Sequence, residues 1–150
     1  MLKTAAVKLS AFALAAVVFL APLFALADTG LRQEDRRVKL LFFWGDGCPH
    51  CMDQKPFLKL LEESYPNLEV KDYETWYNKG NAKLYVDLAR AMGVRPSGVP
   101  ATFVGDRVWI GFSGRVAREI EDAVISCLTG SCPDPMERLK KPADSVKIGR

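Results

Sequence analysis

The sequence predicts an α/β domain whose elements run strand, helix, strand, helix, strand, strand, helix. The apolar run that ends in Phe42-Phe43-Trp44 is typical of a strand buried on both faces. Farther along the chain, apolar residues recur at helical spacing in three segments, which predicts amphipathic helices between the strands. The chain has 150 residues, 49% of them hydrophobic, and a mean hydropathy of −0.01. We therefore expect one domain with a single modest core.

The first strand and the first helix are predicted on either side of a glycine-containing turn. The strand covers 38–44 and is broken by Gly45 and Gly47. The helix covers 49–65, because its apolar residues at positions 57, 58, 61 and 65 recur at helical spacing. Pro56 lies inside this helix and predicts a kink, since proline removes one backbone hydrogen bond.

The rest of the domain is predicted from alternation, periodicity and turn residues. Gly93 is the expected end of the second helix. Gly105-Asp106 suits a type II′ turn with glycine at the first central position. The remaining elements are a strand at 68–73, a helix at about 81–92, hairpin strands at 102–104 and 108–110, and an amphipathic helix after 114 that carries Val116, Ile120, Val124 and Leu128.

Residues 1–27 are predicted to be a signal peptide. Lys3 and Lys8 flank the start of an almost wholly apolar stretch, and Ala25-Leu26-Ala27 offers a small-x-small cleavage site. An uncleaved membrane anchor is the alternative, because the stretch is close to the roughly 20 residues that span a bilayer. Both interpretations export the rest of the chain, since the lysines stay in the cytoplasm. The exported part then consists of a lead-in at 28–37, a domain at 38–132 and a polar tail at 133–150, which we expect to be loose.

The charge balance argues against nucleic-acid binding. Beyond the N-terminal segment, 19 basic side chains face 18 acidic ones. A nucleic-acid-binding domain usually carries a clustered excess of Lys and Arg. We therefore expect no nucleic-acid partner.

All four cysteines lie in the predicted exported part, where disulfides persist. They form a C-x2-C pair, Cys48 and Cys51, and a C-x4-C pair, Cys127 and Cys132. The single histidine of the chain, His50, lies inside the first pair. We expect thiol chemistry at the first pair, with no cofactor and no resident metal.

The C-P-H-C motif is predicted to activate its first cysteine. Cys48 lies at the start of the first helix, with Pro49 at the first helical position, where a missing N–H costs nothing. The unpaired N–H groups and the positive end of the helix dipole favour thiolate over thiol. His50 adds a ring that can donate a hydrogen bond to the same sulfur. Together these effects are expected to lower the pKa of the Cys48 thiol.

A stabilised thiolate has two consequences for exchange chemistry. Cys48 becomes the attacking sulfur on a disulfide and a good leaving group from a mixed disulfide. Because the reduced form gains most, the couple shifts towards an oxidising potential, by about 30 mV for each 1.4 kcal/mol. Cys51, one helical turn along and less exposed, is the predicted resolving thiol.

These motifs resemble the thioredoxin superfamily. The resemblance rests on the apolar strand before C-x-x-C, on a proline five residues after the second cysteine, and on Gly98-Val99-Pro100 before a hairpin. It covers roughly 38–128 and implies a three-layer fold, with a mixed sheet of about four strands and helices on both faces. The element order resembles the minimal, glutaredoxin-like version of that fold, while Cys-Pro-His-Cys is the motif of the periplasmic DsbA oxidases.

The resemblance also implies a substrate groove. It places a cis Val99-Pro100 bond beside the cysteines, with the Val99 backbone free to pair with an extended substrate. Trp44 matches a tryptophan of the family, and both core packing and a substrate platform are open to it. Thioredoxins carry a tryptophan where this chain has Gly47 and a buried aspartate where it has Phe42. The proton acceptor for the resolving thiol is therefore missing, unless Asp46 or water replaces it.

Cys127 and Cys132 bracket the end of the last helix and leave three alternatives. A structural disulfide would stabilise the fold by roughly 2 kcal/mol, because the loop is short. In that geometry Gly130 would take a left-handed helix-cap conformation. A second redox pair would relay electrons to Cys48 and Cys51, and a zinc site would require all four thiolates to converge.

The sequence thus predicts an exported thiol-disulfide oxidoreductase that leans towards oxidation. Its expected partners are substrate proteins with thiols or disulfides and a membrane redox partner that recharges the motif. A thioredoxin-like reductase outside the cytoplasm is the first alternative. A non-catalytic module that binds soft metal ions such as Cu(I) through the same cysteines is the second. Glutathione-dependent activity is a third, which an oxidising compartment disfavours.

Overall fold

The structure, a computed structural model, describes residues 37–140. The predicted signal peptide at 1–27, nearly all of the lead-in and the end of the polar tail lie outside the described residues. Within them, no helix combines the length and the apolar character that crossing a membrane requires. The elements are β1 (Val38–Trp44), α1 (Pro49–Ser64), β2 (Leu68–Glu74), α2 (Lys79–Ala91), β3 (Ala101–Val104), β4 (Arg107–Ile110), α3 (Gly114–Thr129) and a short 3-10 helix (Pro135–Lys140).

The four strands form one mixed sheet in the order β2-β1-β3-β4. β1 pairs in parallel with β2 and antiparallel with β3, and β3 and β4 form an antiparallel hairpin. β1 is thus a central strand, and because helices cover both faces of the sheet over it, its sequence is a continuous apolar run. The hairpin turn has Gly105 at φ 59°, the positive φ that its predicted position requires.

Alternate side chains of β1 supply two separate core layers. Leu40 and Phe42 pack with α1 and α3 on one face of the sheet, whereas Leu41 and Phe43 pack with α2 on the other. Each of these four side chains is at most 1% exposed. Burial of side chains this large contributes about 1.5–3 kcal/mol apiece. The predicted three-layer α/β fold is confirmed.

Two local expectations differ from the structure. Gly130 follows α3 with φ −128° and ψ −156°, which is extended backbone, so it is not the left-handed cap that was expected. The polar tail is not loose through residue 140, because the 3-10 helix has a buried Pro135 and packs Met136 against the α2 side of the core. The Lys39 ammonium lies 2.8 Å from the Asp134 carboxylate and links the start of this segment to β1.

The environment of Asp134 favours this ion pair. Partial burial alone would raise the pKa of its carboxyl group. A hydrogen bond from Lys39 and another from the backbone N–H of Met136 outweigh that effect and hold the pKa below its usual range. The charged carboxylate therefore anchors the 3-10 helix to β1, at the opposite end of that strand from Trp44.

Candidate active site

Cys48 and Cys51 lie where β1 ends and α1 begins. The Gly45–Gly47 turn carries the chain from the end of the strand to the helix, and Gly47 takes φ 79°, a conformation open to glycine at little cost. The two cysteines form a disulfide with their Cα atoms 5.2 Å apart. The pair is thus held at the carboxyl end of the central strand β1, on a rigid helix.

The helix start directs a backbone donor at the first sulfur. Cys48 is the N-cap residue of α1, with Pro49 in the first helical positions, and the backbone N–H of Cys51 donates to Cys48 Sγ over 3.3 Å. An N-cap side chain accepts such a bond because the first N–H groups of a helix have no carbonyl partner. Cys48 is 5% exposed and Cys51 is 0% exposed, so an incoming sulfur reaches Cys48 first.

The loop before β3 closes the other side of the sulfur. The Val99–Pro100 peptide bond is cis, and the Val99 carbonyl oxygen lies 3.8 Å from Cys48 Sγ. The Tyr85 hydroxyl donates to the Gly98 carbonyl over 2.8 Å and ties this loop to α2. Pro100 is fully buried while Val99 stays half-buried, so Val99 is the part of the loop that an extended substrate could contact.

His50 points away from the helix start in this disulfide form. Its side chain is 73% exposed, and Nδ1 lies 4.0 Å from Asp53 Oδ2, one helical turn along. Among the described residues, Cys48 is not one of its hydrogen-bond partners. A role in tuning the sulfur therefore requires the ring to turn once the thiolate forms, and it stays a prediction.

Trp44 is half-buried and is held by polar and packing contacts. Its indole Nε1 donates to Asp72 Oδ1 over 2.9 Å, and the Lys55 ammonium lies 3.1 Å from the centre of its ring. The ring is also packed against the core layer of α1 and α3. Of the two roles left open for Trp44, the geometry favours packing.

The structure brings two aromatic residues to the site that the sequence reasoning missed. Trp76 and Tyr77 follow β2 and are 55% and 79% exposed. The Trp76 indole covers Gly45, where any Cβ would overlap it. The signal was present as two adjacent aromatics in a polar loop, but only the parallel β1–β2 pairing shows that this loop lies beside the turn that leads to Cys48. We name this pair the aromatic rim.

Glu74 holds the aromatic rim in place. Its carboxylate accepts hydrogen bonds from the backbone N–H groups of Trp76, Tyr77 and Asn78, at distances between 2.6 and 3.3 Å. Desolvation would raise the pKa of Glu74, but these bonds and one from the backbone of Asp46 outweigh it and lower the pKa. The carboxylate thus links the rim to the turn before Cys48.

A buried polar side chain was also missed. Asp46, one of the two possible replacements for the missing proton acceptor, lies exposed in the turn before α1. Gln54 is instead wholly buried on the face of α1 that carries Cys51, and its Nε2 donates to Thr102 Oγ1 over 2.6 Å. The signal was a glutamine three residues after a cysteine on an otherwise apolar helix face.

The second cysteine pair lies at the other end of the sheet. Cys127 and Cys132 are disulfide-bonded, and both sulfurs lie against Gly105 in the β3–β4 turn. Since Val104 pairs with Leu40, this turn lies beside the start of β1, about 16 Å of strand away from the turn after Trp44. The four cysteines therefore do not converge, and direct relay between the pairs would require a large rearrangement. Among residues 37–140, no group of three or more His, Cys, Asp or Glu side chains could hold a metal ion.

Comparison with known structures identifies the fold class. A protein assigned as the thiol:disulfide interchange protein DsbE from Chlorobium tepidum matches with a TM-score of 0.50 and 17% identity, over 64% of this chain and 83% of that one. A periplasmic thioredoxin-like protein from Salmonella enterica serovar Typhimurium matches with a TM-score of 0.47 and 17% identity, over 65% and 87%. MTB DsbF matches with a TM-score of 0.45 and 17% identity, over 61% and 81%.

Sequence comparison finds no match. No protein-family model matches the chain, and no curated protein matches it. The fold assignment rests on the first structural match together with the strand order and the helices on both faces of the sheet. The chain therefore has a thioredoxin-like fold, with its C-x-x-C pair at the start of α1.

Proposed function

We propose that this protein is an exported thiol-disulfide oxidoreductase that oxidises substrate proteins through Cys48 and Cys51. The observation that carries the proposal is the backbone N–H of Cys51 directed at Cys48 Sγ at the start of α1. A donor in this position stabilises a negative sulfur more than a neutral one. Reduction produces that negative sulfur, so the site favours the reduced state and its disulfide acts as an oxidant.

The reaction proceeds through one mixed disulfide. A substrate thiolate attacks Cys48 Sγ, the S–S bond to Cys51 breaks, and Cys51 leaves as a thiolate that takes up a proton. A second substrate thiolate then attacks the substrate sulfur of the mixed disulfide and expels Cys48 as its stabilised thiolate. The substrate has lost two electrons to form a disulfide, and the protein has gained two as a dithiol.

The surface around Cys48 suits an unfolded polypeptide as the substrate. The aromatic rim presents apolar surface beside the turn before Cys48, where Trp76 covers Gly45, and Met52, which is 56% exposed, lies one helical turn after Cys48. Trp and Tyr are enriched among the residues that contribute most of the binding energy at protein–protein interfaces. The Val99 backbone adds a place where an extended segment can pair as a strand, with Pro100 shaping the groove. Substrate proteins with free thiols are therefore the proposed partners.

Export and re-oxidation complete the proposal. Residues 1–27 direct the chain out of the cytoplasm and into an oxidising compartment, in which disulfides persist. A membrane redox partner would take two electrons from the Cys48–Cys51 dithiol and restore the disulfide. Cys127 and Cys132, which pack against the β3–β4 turn, serve as a structural disulfide.

The first test is oxidation of a reduced, unfolded protein by the full chain. We expect the disulfide form to introduce disulfides into the test protein, with one equivalent of protein dithiol formed for each. Cys48→Ser is expected to remove the activity. Cys127→Ser combined with Cys132→Ser is the matched control that keeps it, since the second pair lies at the other end of the sheet. An oxidised protein that exchanges with no thiol substrate would contradict the proposal.

The reductase and soft-metal alternatives predict different results. A reductase would hold a potential low enough to reduce the disulfides of the test protein, so the same assay run from the dithiol form separates the two directions. A Cu(I) module would bind the ion tightly through Cys48 and Cys51 and show no exchange.

A further inference from the structure

Gln54 carries a buried polar atom that the disulfide form leaves unpaired. The residue is wholly buried on α1, and its Nε2 donates to Thr102 Oγ1 over 2.6 Å. Among the described residues, none offers a hydrogen bond to its other amide atom, Oε1. A buried carbonyl without a partner destabilises a fold, so its presence calls for a state in which the partner exists.

Cys51 is the nearest candidate for that partner. It precedes Gln54 by three residues, and both are 0% exposed on the buried face of α1. Residues at this spacing on a helix have Cβ atoms about 5–6 Å apart. Helical side chains lean towards the N-terminus, so the long side chain of Gln54 lies over the turn that contains Cys51.

Thr102 fixes the direction of the amide. It pairs with Phe42 across β1 and β3, and Phe42 belongs to the core layer under α1. Directly opposed residues of an antiparallel pair share one face of the sheet, so Thr102 also faces α1. With Nε2 bound to Thr102, Oε1 is the atom of the amide left to accept a further bond.

We propose that Gln54 Oε1 accepts a hydrogen bond from the Cys51 thiol in the reduced protein and so favours the dithiol over the disulfide. This inference rests on the proposed function for its consequence, which is a stronger oxidant. In the disulfide, Cys51 Sγ has no proton to donate. When a substrate dithiol passes two electrons to the disulfide, Cys51 keeps one of the two protons as S–H, and the other stays on Cys48 or passes to solvent.

Gln54 is therefore a positioning residue for the resolving thiol. It does not touch the substrate, because it is wholly buried. Its bond exists in one redox state only, whereas the bond between Nε2 and Thr102 can persist in both. The measurable result is a shift of the redox equilibrium, which a purely structural role would not produce.

The test is the equilibrium of the full chain with glutathione buffers. Gln54→Leu combined with Thr102→Val removes both partners of the buried bond, so that no polar group is left orphaned. We expect the equilibrium constant to move about tenfold towards the disulfide, which is about 30 mV more reducing for a two-electron couple. The single variant Gln54→Glu is expected to keep the equilibrium constant within about threefold of that of the unmodified protein at pH 6. A buried neutral carboxyl group keeps an acceptor oxygen in place.

Leu61→Ala is the control for general destabilisation. Leu61 lies on the same buried face of α1 and is 4% exposed, but it has no polar atom to distinguish the redox states. We expect its glutathione equilibrium to match that of the unmodified protein. Equal equilibria for the folded double variant and the unmodified protein would overturn the proposal, as would an equal shift in Leu61→Ala.

The glutathione titration is independent of the proposed function. It needs no protein substrate, so it can show the shift even if the chain oxidises no unfolded protein. Such a result would overturn the proposed function and leave the role of Gln54 intact. If the chain oxidises the test protein but the double variant has an unshifted glutathione equilibrium, the proposed function stands and the role of Gln54 is overturned.

Discussion

Replacing Cys51 with alanine is expected to stop turnover and to leave substrate covalently attached to Cys48. Without Cys51, Cys48 cannot form the disulfide that oxidises a substrate thiol, so its free thiolate can only attack a disulfide of an already oxidised substrate protein. One substrate sulfur then leaves as a thiolate, and the protein has no second thiol at the site to release the mixed disulfide. We expect the exchange rate to fall by more than about a hundredfold, while one equivalent of adduct accumulates. Non-reducing electrophoresis and intact mass measurement detect the adduct.

The matched variant is Cys48→Ala, which keeps the buried cysteine alone. Since Cys51 is 0% exposed whereas Cys48 is 5% exposed, we expect no adduct in this variant. Adducts on Cys51 that form as readily as those on Cys48 would show that the two sulfurs do not have the assigned roles.

Replacing His50 with serine is expected to make the couple more reducing and to slow oxidation of a reduced protein. The imidazole can donate a hydrogen bond to the Cys48 thiolate and thereby stabilise the reduced state, and serine removes that ring. A tenfold change in the glutathione equilibrium corresponds to about 30 mV, and we expect a shift of at least about this size.

Asp53→Asn is the control for the neighbour of the ring. Asp53 lies 4.0 Å from His50 Nδ1, and both side chains are more than 70% exposed. Solvent screens a pair this exposed, so we expect a smaller shift from Asp53→Asn than from His50→Ser. If His50→Ser and the unmodified protein have the same potential, the assignment of His50 as a tuning residue is wrong.

The predictable parts of the site are those encoded over short stretches of sequence. The apolar run of β1, the glycine turn and the proline after Cys48 are local signals, and they place the C-x-x-C pair at a helix start. Gly105 was predictable for the same reason, since a tight hairpin turn requires positive φ.

The missed parts depend on which elements meet. Trp76 covers Gly45, in the turn before Cys48, only because β2 pairs with β1 in parallel. Gln54 faces Thr102 because β3 lies next to β1 under α1, which periodicity along α1 alone does not reveal. Gly130 was assigned from a frequent helix-cap preference, but the disulfide between Cys127 and Cys132 closes the turn there with extended backbone.

The pKa of the Cys48 thiol tests the central claim most directly. It can be measured from the ultraviolet absorbance of the thiolate in the reduced full chain, with Cys48→Ala subtracted to remove the signal of Cys51. The account predicts a pKa well below that of a free cysteine, because the start of α1 and the N–H of Cys51 stabilise the anion. A pKa at or above the free value would contradict it.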